Sequence, residues 1–215
     1  MPVLLHLDSS ADLTTSRSRA ITATFADTWR SLSDDHTVVY RDLHRDPLPY
    51  LSDASLHFPA RLRSPGATPD PVQERLQQDI ISELLSADVV LLGVPLYNYS
   101  MPATLKTWVD YIHVPGVTAP FDEPAAQQPL AGRPAVLVST RGGAYDYGTA
   151  TEFDDHAIPA LSLILKDALG MTLETIVATR TLSERFGAPA EEVVLQHAEL
   201  AAAHEKATQA AHRLG

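Results

Sequence analysis

The chain has 215 residues, of which 45% are hydrophobic and 20% charged, and its formal net charge is −11 at pH 7. That length suits one α/β domain, and the acidic balance argues against nucleic acid, whose phosphates need a basic face. Cysteine is absent, which excludes disulfides, thiolate nucleophiles and cysteine-bound metals, and no run approaches the ~20 apolar residues of a membrane helix.

Residues 3–7 read as a short apolar strand. It begins without a basic leader or cleavage site, so no signal peptide is expected and a cytoplasmic location is. A polar loop follows, and residues 16–33 read as a helix from the spacing of Ile21, Phe25, Thr28, Trp29 and Leu32. Residues 37–43 form the second strand, led by Val38, Val39 and Tyr40. Residues 44–71, rich in Pro, Ser and Asp, predict a long surface excursion. The next helix spans 71–86, with Pro71 suited to its first turn. A third, uninterruptedly apolar strand covers 88–94, and a helix covers 101–112. A second long loop runs over 113–133. Residues 135–140 make the fourth strand, 158–168 an apolar helix, 172–178 the fifth strand, and 190–214 an Ala-rich amphipathic helix.

Strands alternating with helices predict an α/β fold, a doubly wound five-stranded parallel sheet with helices on both faces, in one domain over 1–215. The flavodoxin-like order 2-1-3-4-5 is favoured. It sets the polar loops after strands one, three and four side by side at the switch point, where open sheets hold their ligands.

The first of these loops carries Ser9 and Ser10, then Thr14, Thr15, Ser16, Arg17 and Ser18 at the helix start. Hydroxyls and free N–H groups there suit a phosphate, with Arg17 or Arg19 as the nearby cation. Neither GxGxxG nor GxxxxGK[ST] occurs, and a hydroxyl-rich loop in their place suits the terminal monophosphate of FMN. The plainer alternative is an ordinary N-cap at Ser16 or Ser18. The second loop, Pro95-Leu96-Tyr97-Asn98-Tyr99, is bracketed by Pro95 and Pro102. It offers rings, an amide and backbone N–H groups to a planar heteroaromatic guest such as a flavin; packing tyrosines are the alternative. The third loop is Ser139-Thr140-Arg141-Gly142-Gly143, for which a plain Gly-Gly turn is the alternative. Its glycines allow close backbone approach, and their N–H groups suit the flavin edge that gains negative charge on reduction.

Together these loops resemble the FMN-dependent NADH azoreductases, within the flavodoxin-like quinone reductase superfamily. The resemblance rests on Ser9-Ser10 with Ser16-Arg17-Ser18, on Pro95 to Tyr99, on Leu105-Lys106 with Asp110, and on Thr140 to Gly143. It continues through Arg41-Asp42-Leu43 and Gly116-Val117-Thr118, and so covers nearly the whole chain. It implies a homodimer with FMN sites at the interface. The flavin would be reduced by NADH or NADPH and reoxidised by a quinone or an aromatic azo compound in ping-pong alternation. It also implies FMN contacts from Ser10, Ser16, Arg17 and Ser18, from Pro95, Leu96, Tyr97, Asn98 and Tyr99, and from Thr140, Arg141, Gly142 and Gly143. One position departs from the pattern. Several relatives have a histidine where this chain has Tyr145, which either donates a hydrogen bond to the acceptor or walls the pocket.

Other readings are weaker. His197, His204 and His212 are seven and eight residues apart on the last helix, too far for chelation at i, i+4, so no metal site is expected. Asp154-Asp155-His156 reads as a capping cluster, and no GxSxG elbow marks a hydrolase. A flavodoxin-type electron carrier and a dedicated biosynthetic reductase are the functional alternatives. Two long loops around the expected site favour an enzyme with a substrate cavity.

Overall fold

The apolar runs pair into one parallel sheet. A computed structural model describes residues 1–121 and 128–215, so the expected loop over 113–133 lies partly outside the described residues. Strands β1 (Val3–Asp8), β2 (Thr37–Asp42), β3 (Val89–Pro95), β4 (Pro134–Thr140) and β5 (Thr172–Ala178) lie in the order β2-β1-β3-β4-β5. This is the flavodoxin-like order expected from the loops. Strand β3 is buried at every position, because it sits centrally with both faces covered, and this is why it reads as a continuous apolar run.

The helices divide between the faces. Helix α1 (Arg17–Leu32) buries Ile21, Phe25 and Trp29 against Leu4, Leu91, Val136 and Ile176. Helix α5 (Ala190–Leu214) joins that layer through Ala203, Ala207, Ala210 and Ala211, small side chains that let it lie close along α1. His204 takes part, with Nδ1 2.7 Å from Thr24 Oγ1, whereas His197 stays exposed. On the other face α2 (Pro71–Ser86), α3 (Ala103–Ile112) and α4 (Ala157–Ser162) cover Leu5, Leu7, Leu92, Val94 and Leu137. Ser16 caps α1, its Oγ accepting from Arg19 N, and Asp70 caps α2 ahead of Pro71.

Three segments differ from expectation. The stretch 44–71 is not structureless: it holds two short 3₁₀ turns, Ala54–His57 and Ala60–Leu62. The fully buried Leu56 anchors it, with Leu48 and Leu51 also packed on the core, and buried Gln77 donates to the Leu56 carbonyl at 2.9 Å and the Tyr111 carbonyl at 3.1 Å. Helix α3 starts at Ala103, not 101, because Pro102 biases Met101 away from helical backbone. The helix expected over 158–168 is α-helical only to Ser162 and continues through Leu163–Ala168 as a π turn. The wider turn brings Leu165 and Leu169 back to the side of Leu161, and all three are fully buried. Among the described residues no helix is long and apolar enough to cross a membrane.

Candidate functional site

The loops leaving β1, β3, β4 and β5 enclose a cavity of about 620 Å³ at the carboxyl ends of the strands. That lies within the ~300–1,000 Å³ common for small-molecule sites. Ser10, Ser16, Arg17, Pro95, Leu96, Tyr97, Thr140, Gly142, Gly143 and Tyr145 all line it. Sequence positions as distant as 10 and 145 are brought together here by the sheet order alone.

The β1 loop is a hydrogen-bonded cradle. Buried Ser10 Oγ lies 3.1 Å from Tyr97 Oη and accepts from Asp12 N at 3.2 Å, and Ala11 N donates to the same tyrosine oxygen. The Asp12 carboxylate accepts from the N–H groups of Thr14 and Thr15 and from the Thr15 hydroxyl, bonds that hold its pKa far below the ordinary value. The N–H groups of Ser16, Arg17 and Ser18 have no acceptor among the described residues. Together with the start of a sixteen-residue helix they make an anion-binding end. Ser16 is at once the helix cap and a cavity wall; Ser18 lies fully buried beneath it, its Oγ 3.2 Å from Ser16 Oγ. Of the two arginines considered for the cation, Arg19 is committed elsewhere: its guanidinium pairs with Asp42 at 2.7 Å and donates to the Ser10 carbonyl. Arg17 lines the cavity without an ion pair among the described residues.

The β3 loop closes on itself. Tyr97 N donates to the Ser100 carbonyl and Ser100 N to that of Tyr97, at 2.9 and 3.0 Å. Asn98 and Tyr99 between them have φ of 47° and 69°, the backbone of a type I′ turn. Left-handed backbone is unfavourable for a tyrosine, and such strain concentrates at ligand sites. Leu96 N is spent on the Thr140 carbonyl at 2.8 Å, so the N–H groups left without acceptors among the described residues are those of Asn98 and Tyr99. Asn98 faces a second cavity of about 560 Å³, which shares Tyr97 with the first and is also lined by Met101 and Lys106. Tyr99 is exposed, its carbonyl accepting from His156 N.

The β4 loop is held from below. The Arg141 side chain does not line the cavity: it pairs with buried Asp155, and its guanidinium lies 5.5 Å from the centre of the Tyr145 ring. The Gly142 carbonyl accepts from Leu182 N and that of Gly143 from Arg180 N. The Gly142 and Gly143 N–H groups have no acceptor among the described residues. A Cβ on Gly142 would collide with the Leu182 side chain, so this glycine is needed for packing as well as for access. Burial pushes the Tyr145 hydroxyl up from its ordinary value, with the neighbouring Tyr99 and Asp154 adding to the effect.

Sequence reasoning named Thr15 in the first loop but did not pick out Asp12, nor Thr181, Leu182, Arg185 and Phe186 after β5, which complete the cavity wall. The signal lay in the strand order. With β5 beside β4, the loop after β5 belongs to the same rim, and Thr-Leu-Ser-Glu-Arg-Phe supplies polar, cationic and aromatic side chains there.

Residues 3–207 match the family described as having a flavodoxin-like fold. Over 186 residues the chain is 55% identical to the FMN-dependent NADH:quinone oxidoreductase of Kineococcus radiotolerans, covering 86% of this chain and 87% of that relative. The chain belongs to this flavodoxin-like family of quinone oxidoreductases. A second member, the FMN-dependent NADH:quinone oxidoreductase of Streptomyces avermitilis, is 38% identical across 100% of this chain and 97% of its own length. The family fold recurs in an azoreductase of Bacillus anthracis, with a TM-score of 0.80 at 22% identity, covering 99% of this chain and 100% of that one.

Proposed function

We propose that residues 1–215 act as one FMN-binding domain, an NAD(P)H-driven oxidoreductase that transfers two electrons to quinones and aromatic azo compounds. The observation that carries this reading is the pair of unpaired N–H sets, at the start of α1 and at Gly142–Gly143, on one cavity above the switch point. The donor set fits FMN: an anion end with Arg17, a tyrosine-lined middle, and a glycine end with free amides. The close relatives named FMN-dependent NADH:quinone oxidoreductases support it.

When bound, FMN supplies the hydride chemistry, taking two electrons from NADH or NADPH and giving them to the acceptor in ping-pong alternation. The chain's own residues bind and orient. The N–H groups of Ser16, Arg17 and Ser18, with the Arg17 guanidinium, hold the phosphate. Pro95, Leu96 and Tyr97 pack the ring system, while the Asn98 and Tyr99 N–H groups meet its edge. The Gly142 and Gly143 N–H groups oppose the atoms where negative charge develops. Thr140 and Arg141 fix that loop, the first by accepting from Leu96 N, the second through Asp155. Tyr145, a hydroxyl already protonated at neutral pH and pushed further up by burial, donates a hydrogen bond to the acceptor.

The proposal includes a homodimer with the flavin sites at its interface, acting in the cytoplasm. Exposed Phe153 and Leu163 flank α4, beside Tyr99, whose carbonyl is bonded to His156 N. These are side chains that a partner subunit would cover. Anaerobic stopped-flow reduction of the FMN-loaded protein by NADH and NADPH, followed by mixing with menadione or methyl red, tests the function. Rapid two-electron bleaching and acceptor-driven reoxidation are expected. A bound flavin that neither nucleotide reduces would leave a carrier, and absence of FMN binding would remove the cofactor reading.

A further inference from the structure

We propose that Arg185 is a second ligand of the cofactor phosphate, closing from the α5 side the anion site that Arg17 and the start of α1 form on the other. This rests on the reading of the cavity as an FMN site. Arginines on the surrounding loops differ sharply in how they are used. Arg19 is bound to Asp42 and the Ser10 carbonyl, Arg141 to Asp155, and Arg180 to Asp146, Glu192 and Glu199. Arg17 and Arg185 line the cavity, and neither has an ion pair among the described residues.

Charge complementarity favours both. The Asp12 carboxylate lines the same cavity, ionised and fixed by the N–H groups of Thr14 and Thr15. One arginine offsets that carboxylate, and a phosphate monoester brings a further ~1.5–2 negative charges at neutral pH. In a chain of net charge −11, a second cation on the cavity wall adds to what the α1 N–H groups supply.

The backbone places Arg185 for this role. Leu182 N donates to the Gly142 carbonyl at 3.2 Å, and Glu184 N donates to Oε1 of buried Gln196 on α5 at 3.1 Å. From these anchors onward Phe186 N bonds the Leu182 carbonyl and Ala188 N that of Ser183, so Arg185 sits on a closed turn. Helix α5, which this turn leads into, packs along α1, whose first turn is the phosphate end.

The test is a titration of the flavin-free full chain with FMN and with riboflavin, followed by flavin fluorescence quenching at low and high salt. Wild type, Arg185→Gln and Arg185→Lys would be compared. The expected result is a loss of about tenfold in FMN affinity for Arg185→Gln, with riboflavin affinity unchanged, a shallower salt dependence, and recovery of most of the loss in Arg185→Lys. Equal FMN affinity in wild type and Arg185→Gln would overturn the proposal, as would equal losses for both flavins. Intact FMN affinity with a raised KM for NADH would overturn it too, assigning Arg185 to the donor's pyrophosphate. A wild type that binds neither flavin would instead remove the cofactor reading on which the proposal stands.

Discussion

Arg19 grips the backbone carbonyl of Ser10 with two nitrogens, Nε at 3.2 Å and Nη2 at 2.7 Å. The same guanidinium pairs with Asp42 and reaches Tyr40 Oη at 3.1 Å. The first loop of the cavity is therefore tied to the end of β2 through one side chain, itself nearly buried. Arg19 is a positioning residue. Arg19→Gln removes the two short guanidinium bonds from the buried Asp42 carboxylate, leaving it Arg45 at 3.6 Å, and frees the Ser10 carbonyl. Breaking such a pair should cost about 3 kcal/mol, readable as a lower urea midpoint. FMN affinity should fall as well, while the affinity for a nicotinamide nucleotide at the loaded site stays close to that of wild type. Unchanged FMN binding would show that Ser10 is held without Arg19.

The same cluster sets an acid limit on stability. Burial alone would raise the Asp42 carboxyl, but hydrogen bonds from Arg19 and from the N–H groups of Arg45 and His44 outweigh it and bring the pKa to about 2. Asp8 is likewise held below its ordinary value, burial being outweighed by His6, Thr22 and Arg19. A pKa depressed on folding gives stability that is fully present above the unfolded value, 3.8, and is lost as pH falls through the folded one. Unfolding free energy should hold level from neutral pH to above pH ~4 as far as these groups are concerned, then drop toward pH ~2 by on the order of 2 kcal/mol from Asp42, with Asp8 adding to the loss in the same direction. Urea unfolding at stepped pH reads this directly. In Arg19→Gln the acid drop should shrink.

Gly93 is a glycine for reasons of space. A Cβ there would fall on the Asp8 carboxylate, well inside contact distance, and press on Thr22 Cγ2 at 3.2 Å. Asp8 Oδ1 accepts from Thr22 Oγ1 at 2.9 Å and is buried, so it has no open direction in which to yield. Gly93→Ala should destabilise by about 2 kcal/mol through overpacking, seen as a lower thermal midpoint by circular dichroism. An unchanged midpoint would mean that β1 and β3 separate more easily than this packing implies.

The strands and most helices were legible in the sequence because each carries its own periodicity. Helices α2 and α5 and strand β5 fall on their expected boundaries, and the loops after strands one, three and four meet as the strand order requires. What was not legible depended on contacts between distant residues. The π turn at Leu163–Ala168 reflects the need to keep Leu165 and Leu169 on the core side, which a local apolar pattern does not express. The internal use of Leu96 N and Tyr97 N depends on the partners Thr140 and Ser100, and it moves the free N–H groups to Asn98 and Tyr99. The division of arginines into bound and unbound likewise follows from which carboxylates the fold brings near them.

Leu163 lies on the π turn with 63% of its surface exposed, between Leu161 and Leu165, which are fully buried two positions away on either side. If the face around α4 is the dimer surface, Leu163→Asp should give a stable monomer, because the substitution removes apolar area that solvent otherwise touches only in the free chain. Light scattering after size exclusion measures the mass, and flavin retention reports whether the site needs the partner. A dimer unchanged by Leu163→Asp would place the interface elsewhere.

The role proposed for Tyr145 would separate donor chemistry from acceptor chemistry. Its hydroxyl is protonated at neutral pH, burial pushing it further up, and its ring is braced by the Arg141 guanidinium, while the flavin-reducing step calls on no proton from it. In Tyr145→Phe the rate of flavin bleaching by NADH should match wild type. Reoxidation by menadione should slow about tenfold, the loss expected for one hydrogen bond that strengthens as charge builds on the acceptor oxygen. The phenyl ring preserves the wall, so a purely structural role would leave both half-reactions intact. Equal slowing of both would point to a displaced Gly142–Gly143 loop, and circular dichroism of the bound flavin would register that displacement.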